Sequence, residues 1–526
     1  MKVTRFTVAA ACVLLFGAGA TPARADEEQL GKVKFANSCD AAVSAEFERG
    51  VAMLHSFWYG AAEKTFRDVF TKDPGCAIAG WGIASILMAN PLAGQGASPK
   101  GAEVAQAAID QARSAGAKTQ RERDYIEAVA AYYRDFGTRS ESQRQEARAK
   151  AYEALAARYP DDDEAQIFAA LYLAGTQSQA DQSYAAYRKA AAVLEKEFAK
   201  YPDHPGVAHY LIHSYDAPPI AQQGLTAARR YAGIAPAAPH ALHMPSHIFT
   251  RVGAWEESAA TNKRSADTAA KSGEFDEQMH ASDYMVYAYL QLARDSDALR
   301  TIEANRTTPY KGTAGPYAAA AMPARYAAER GAWREAMQLE VRPSKFPNVD
   351  ALTWFARAIG AARSGDVAAA EKGGAELARL QKALQNAGNR YWATEVEIQR
   401  LAVDGWISLA QGNRDEALKY MRSAADLEDR NEKHIVTPGR ILPARELLGD
   451  MLLELNQPAL ALKEYEASHL REPNRFRGLY GAAVAAEQSG DKQKAAAYYG
   501  RLKELTKNAD SSRPELQRMR AYLAQR

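Results

Sequence analysis

HYLIHSYD at residues 209–216 and HALHMPSHIF at residues 240–249 decide how this chain is read. His209 and His213 are four apart, as are His243 and His247, and each member of the second pair follows its counterpart by 34 residues. Residues four apart share a helix face. An offset of 34 is one helix-turn-helix repeat, so two stacked units would carry both pairs in register on neighbouring helices. Asp216 falls on the face of His209 and His213. His280 follows His247 by 33 residues, with Asp283 three further on, and brings a third helix to the same wall.

Outward from this stretch the same period recurs. Gly449, Ala461, Tyr465 and Pro473 occupy small, small, aromatic and terminal-proline positions, and Ala495 and Tyr499 repeat two of them 34 residues later. Gly405 and Ala417 keep the separation of Gly449 and Ala461. Small residues let the two helices of a hairpin approach, while the aromatic fills the gap to the next. Turn signals at Asp73-Pro74-Gly75, Pro160-Asp161-Asp162, Pro202-Asp203, Gly253-Ala254-Trp255 and Gly331-Ala332-Trp333 divide the rest into roughly ten hairpins. Segments 90–100 and 428–441 read as longer loops. The 526 residues are rich in Ala, Leu, Arg, Glu and Gln and lack strand-like alternation, so the expected fold is all-α, a right-handed α/α superhelical solenoid. It divides into an export segment (1–25), an N-terminal capping region (26–90), degenerate repeats bearing the histidine wall (91–390) and regular C-terminal repeats (391–526).

On LHSFWY (54–59), GWGIA (80–84), HALHMPSHIF and PARELLGDMLLE (443–454), the chain resembles an uncharacterised group of exported bacterial tetratricopeptide repeat proteins. The resemblance implies a tetratricopeptide-type solenoid and an exported location. It also implies a concave face that binds a peptide or partner protein, and it names no reaction.

Lys2 and Arg5 precede an apolar run from Phe6 to Ala20, and Ala23-Arg24-Ala25 offers small residues for cleavage, so the mature chain is expected to begin near Asp26 in the periplasm or outside the cell. No later segment is long enough to span a membrane. Cleavage leaves 63 basic residues against 64 acidic ones, and this near-neutrality leads us to expect no nucleic-acid partner. It also leaves two cysteines, Cys39 and Cys76, on either side of the first hairpin. In an oxidising compartment they are expected to pair.

Three readings of the histidine wall follow. A divalent transition metal (Zn, Cu or Fe) is held by His209, His213, His243 and His247, with Asp216, His280 or Asp283 completing or orienting its shell. A metal-free polar pocket takes an anionic or peptide ligand instead. In the third, the imidazoles only pack helices. His204 and His240 are weaker candidates, since each stands beside a proline-marked helix start, where a turn role also fits. A second pattern, apolar-Pro-small-basic, recurs at Met244–His247, Met322–Arg325 and Leu442–Arg445. Proline at a helix's first turn puts the basic residue near free amides, so Arg325 and Arg445 are candidate anion clamps in the groove, unless each pairs with an acidic neighbour. Trp81 and Tyr287 are candidate aromatic ligand contacts, and a curled array would bring His55 and Trp81 to the central histidines. The chain has no HExxH, G-x-S-x-G or CxxC. A binding protein with a histidine- and arginine-lined groove is therefore the first expectation, and a metal-dependent enzyme with a His-rich active site the alternative.

Overall fold

Alanine-rich segments with apolar residues at helical spacing have at least one stripe each to bury, so they stack. In the computed structural model, which describes residues 28–525, they form 26 α-helices and one short 3-10 turn, with no β-strand among the described residues. Successive helices pair antiparallel and the pairs stack into an all-α, repeat-like superhelical solenoid. There are more hairpins than the ten read from the turns. The difference lies in short helices such as Trp333–Met337 and Asp295–Ala304, too brief to leave a periodic signature. The expected export segment lies outside the described residues. Among them, no helix is long and apolar enough to cross a membrane.

Small residues act where the period placed them. A Cβ on Gly449 would stand 2.7 Å from the Tyr465 ring, and one on Gly405 would stand 3.1 Å from the Ala417 carbonyl, so both are sites of close helix approach. At the N-terminal end Cys39 and Cys76 form a disulfide closing a loop of 37 residues.

Outer and inner helices differ in a way that defines the site. The outer helix Trp255–Ser272 buries one stripe and leaves Glu256, Lys263 and Lys271 exposed. The inner helices Pro205–Ser214 and Phe275–Gln291 are buried almost all round, from Pro205 to Ser214 and from Met279 to Gln291. Their concave side is covered by the segment 430–443, which leaves the helix Arg414–Asp429 and crosses the interior before the helix Ala444–Glu454. Tyr284 Oη donates within this segment, lying 3.0 Å from the Ile435 carbonyl and 3.1 Å from that of Thr437. Arg251 donates to Glu432 (2.8 Å). The C-terminal pairs fold back beneath it: Arg475, fully buried, bonds Glu329 and Glu446 at 2.7 Å each, and Trp255 donates to the Asn474 carbonyl (2.7 Å). Of the open groove and the enclosed chamber that the sequence allows, the histidines therefore lie in the enclosed one.

Candidate metal centre

Pro205 starts the helix that carries His209 and His213, and His204 caps it by accepting from the Val207 amide (3.3 Å). The second pair sits on two short helices, Pro239–His243 and Pro245–Val252, because Pro245 has no amide to continue the ladder between them. Gly253, at φ 71°, ends the second. The break lets His240, His243 and His247 all face inward, where Phe275–Gln291 presents His280. His209, His243 and His55 are wholly buried, and His213 and His247 nearly so.

Ligand nitrogens fall into two trios, His209 with His213 and His240, and His243 with His247 and His280, each trio lying within 4.8 Å. Inside each pair the Nε2 atoms confront one another, at 3.2 Å for His209 and His213 and 3.1 Å for His243 and His247. Two nitrogens bound tetrahedrally to one ion at about 2.0–2.1 Å stand about 3.3 Å apart, so both separations match a shared metal.

The outer nitrogens show which protons are already committed. His209 Nδ1 donates to the His55 carbonyl (2.6 Å), His240 Nδ1 to Glu277 (3.1 Å) and His247 Nδ1 to Asp216 (2.8 Å). His243 Nδ1 donates to Asn262 Oδ1 (2.7 Å), and that amide is oriented by its own donation to the Ser258 carbonyl (2.7 Å). In a neutral imidazole the other nitrogen is then a bare lone pair. His243 and His247 therefore point lone pair at lone pair, and His240 Nε2 is buried without a partner. Acceptors behind the ring nitrogens are the arrangement that fixes metal-bound histidines.

Burial, and then the neighbouring imidazoles, hold His209, His213 and His243 well below the ordinary histidine range. Burial lowers His247 despite Asp216 and takes His280 down to about 3. These rings are thus neutral, the form that binds metal. Burial alone would raise Asp216; Lys433, Arg251 and the His247 bond outweigh it and keep the carboxylate ionised. Arg251 donates to Asp216 (2.7 Å), and the buried Lys433 Nζ lies 3.6 Å from it. Burial, then Arg251, pushes Lys433 down to about 8.

Phe57 caps one trio, stacked on His213 and His240 at centroid distances of 6.1 and 5.6 Å and edge-on to His209 at 4.4 Å. Its own backbone is at φ 51°, a conformation costly for a bulky residue and kept only where the surroundings enforce it. Tyr284 covers the other trio, 4.7 Å from His243 and 5.2 Å from both His247 and His280.

Other residues singled out in the sequence have different surroundings. His240 is a member of the first trio as well as a neighbour of a turn. Asp216 stands behind His247, with both oxygens engaged by protein donors. Asp283 pairs with Arg325 (2.9 Å) and belongs to neither trio. Arg325 is a correction: Pro323 lies inside the helix Ala314–Glu329, so Arg325 has no free first-turn amides beside it. Its guanidinium is fully buried and donates to Asp283, Thr437 Oγ1 and the Gly439 and Arg440 carbonyls, clasping the 430–443 segment. Arg445 does follow a helix start but is taken by Asp426, Asp429 and Glu464. Trp81 is core, donating to Tyr152 Oη (2.7 Å), and Tyr287 packs under Arg325 and Arg475.

His55 belongs to another buried group, with Glu164 and His204. There each inward nitrogen meets a carboxylate oxygen, His55 at 2.9 Å and His204 at 3.0 Å, and His55 Nδ1 faces Tyr210 Oη at 2.9 Å. Phe57, Asn262, Glu277, Tyr284 and Lys433 were not singled out by sequence reasoning as parts of the centre. Phe57 lay in a quoted motif beside His55, but the others carry no local signal.

No family model matches the chain, and comparison with curated proteins finds no match. Among solved structures it resembles the human IFIT1 dimer with m7Gppp-AAAA (12% identity, 77% of this chain and 87% of that one, TM-score 0.34). It also resembles a monomeric IFIT1 mutant with Gppp-AAAA (13% identity, 82% and 90%, TM-score 0.37). A third match is the APC/C hetero-tetramer Cut9–Hcn1 (11% identity, 91% and 96%, TM-score 0.29). This likeness is a distant one between all-α solenoids and does not single out bacterial or exported proteins. The expected exclusion of nucleic-acid partners does not stand, because net charge summed over a chain does not describe the field inside a groove; the matched structures include IFIT1 with m7Gppp-AAAA. The likeness assigns no ligand to this chain.

Proposed function

We propose that this protein is a metal-dependent enzyme whose transition-metal centre is the six-imidazole cluster enclosed by the solenoid. The observation that carries the reading is the confrontation of His243 Nε2 and His247 Nε2 at 3.1 Å, with both Nδ1 protons committed elsewhere. Two facing lone pairs repel, and a bound cation turns that repulsion into two bonds. A neutral nitrogen donor set favours zinc, copper, iron or nickel over magnesium or calcium. Enclosure by Phe57, Tyr284 and the 430–443 segment excludes bulk water, which strengthens every charge interaction at the centre.

The test is elemental analysis of untagged protein from its native compartment, then chelation and reloading. Bound transition metal, with turnover of a small-molecule substrate panel lost and regained alongside it, supports the proposal. A protein that holds no metal when offered zinc, copper and iron, and whose stability ignores chelator, overturns it and leaves the imidazoles as helix packing.

We further propose that the repeats are of tetratricopeptide type, with a capping region at 26–90, histidine-bearing repeats at 91–390 and regular repeats at 391–526. The 34-residue period and the close approaches at Gly405 and Gly449 support this. Export to the periplasm or beyond is proposed from the first 25 residues, and the Cys39–Cys76 disulfide agrees with an oxidising compartment.

A further inference from the structure

Rings from different trios come as close as some rings within one. His213 and His247 lie 5.6 Å apart between centroids, and His240 and His243 5.8 Å, inside the range of 4.4 Å (His243 and His280) to 6.5 Å (His247 and His280) found within the trios, although most within-trio pairs are closer. A single ion uses four or so ligands. Six imidazoles, arranged as two confronting pairs each with one further ring, exceed that need and divide evenly.

We propose that the cluster is a dinuclear copper site, one ion held by His209, His213 and His240 and the other by His243, His247 and His280. The inference rests on the reading of the cluster as a metal centre and adds its nuclearity and metal. Three ligands would leave each ion an open position, and the cross-trio ring spacings of 5.6 and 5.8 Å would allow the two ions to share one small bridging ligand.

The donor set selects copper. Carboxylate-rich cages suit paired iron or manganese in helical proteins; here both trios are imidazole throughout. Copper also stands highest among divalent first-row ions for nitrogen ligands. Charge points the same way. The anions nearest the rings are Glu277, behind His240, and Asp216, which already faces Arg251 and Lys433. Glu432 is likewise taken by Arg251 and Arg471, and Asp283 by Arg325. So little free negative charge in a buried site accommodates two monovalent ions far better than two divalent ones. Two Cu(I) ions hold one transferable electron each. Dioxygen entering between them takes both and becomes a bridging peroxide with its O–O bond intact, leaving two Cu(II) ions and requiring no proton or further reductant for that step.

The experiment uses the whole mature chain, stripped of metal and titrated anaerobically with Cu(I), and separately with Zn(II). Copper is expected to saturate at two per chain. Admission of air should then consume about one dioxygen per chain and give an electron paramagnetic resonance signal far below one spin per copper, because adjacent Cu(II) spins pair. His240→Gln and His280→Gln should each retain one copper and recover a full single-spin signal, with circular dichroism confirming the fold. Saturation of the unaltered protein at one copper with full spin overturns the dinuclear site and leaves the proposed function standing. Two zinc ions bound more tightly than copper overturn the choice of metal. No retention of any metal overturns both proposals.

Discussion

Two buried histidine groups lie side by side in this molecule and differ in one respect. Around Glu164, His55 and His204 each give an inward N–H to a carboxylate oxygen, and the carboxylate accepts both. Burial would raise Glu164, but His55 and His204 hold it well below the carboxylate range. Every donor there has an acceptor. In the six-imidazole cluster four rings, His209, His240, His243 and His247, send their protons outward to the His55 carbonyl, Glu277, Asn262 and Asp216, and the inward nitrogens of His243 and His247 are left facing one another. Both groups bring ligating atoms within 4.8 Å. Proximity therefore does not separate a structural network from a metal site, whereas the placement of protons does.

The largest expected effect breaks the comparison on the cluster side. A His213→Ala, His247→Ala double variant should lose metal affinity by more than about 1,000-fold, on the order of 4 kcal/mol, measured by competition with a chromogenic chelator. Metal bound as tightly as before would place the centre elsewhere. Glu164→Ala should do the opposite. Metal stoichiometry stays unchanged, while two buried imidazole donors lose their acceptor at a cost of about 1–3 kcal/mol each, read from urea unfolding. Loss of metal in this variant, with the fold intact, would erase the distinction.

Asp216→Asn sharpens the contrast, since it keeps the shape but weakens the acceptor behind His247. Metal affinity should fall by about 10–100-fold, and an affinity change under twofold would show that the carboxylate serves Arg251 and Lys433 alone. The smallest effect, taken per histidine and per pH unit, comes from pH. His209, His213, His243, His247 and His280 have folded pKa values below their unfolded value near 6.5. The unfolded chain therefore binds more protons below pH 6.5. The stability of the metal-free protein should be full above that pH and fall as pH drops toward 3, by about 1.4 kcal/mol per unit for each histidine protonated on unfolding. A flat profile between pH 6.5 and 5 would mean the rings are not buried as neutral groups.

Much of the architecture was legible in the sequence because it is periodic. The 34-residue offset of His209/His213 and His243/His247 set both pairs on inner helices, the spacing of Gly449 and Tyr465 marked a close helix contact, and Cys39 and Cys76 on either side of the first hairpin marked a disulfide. Local chemistry also named Pro245 as a helix start. It failed at Pro323, where the same signal sits mid-helix because neighbouring turns and tertiary packing hold the helix without that one hydrogen bond.

What only the tertiary structure decided lies between residues far apart in the chain. Arg325 reads as a free cation until Thr437 and Gly439, more than a hundred residues away, take its donors. The concave face reads equally as an open groove or a closed chamber until the 430–443 segment is seen to cross it. His240 reads as a weaker candidate until the break at Pro245 swings it inward beside His209. Periodicity is a local property and survives in one dimension. Enclosure and the partners of each nitrogen are set by superhelical return of the chain on itself, which no spacing along the sequence records.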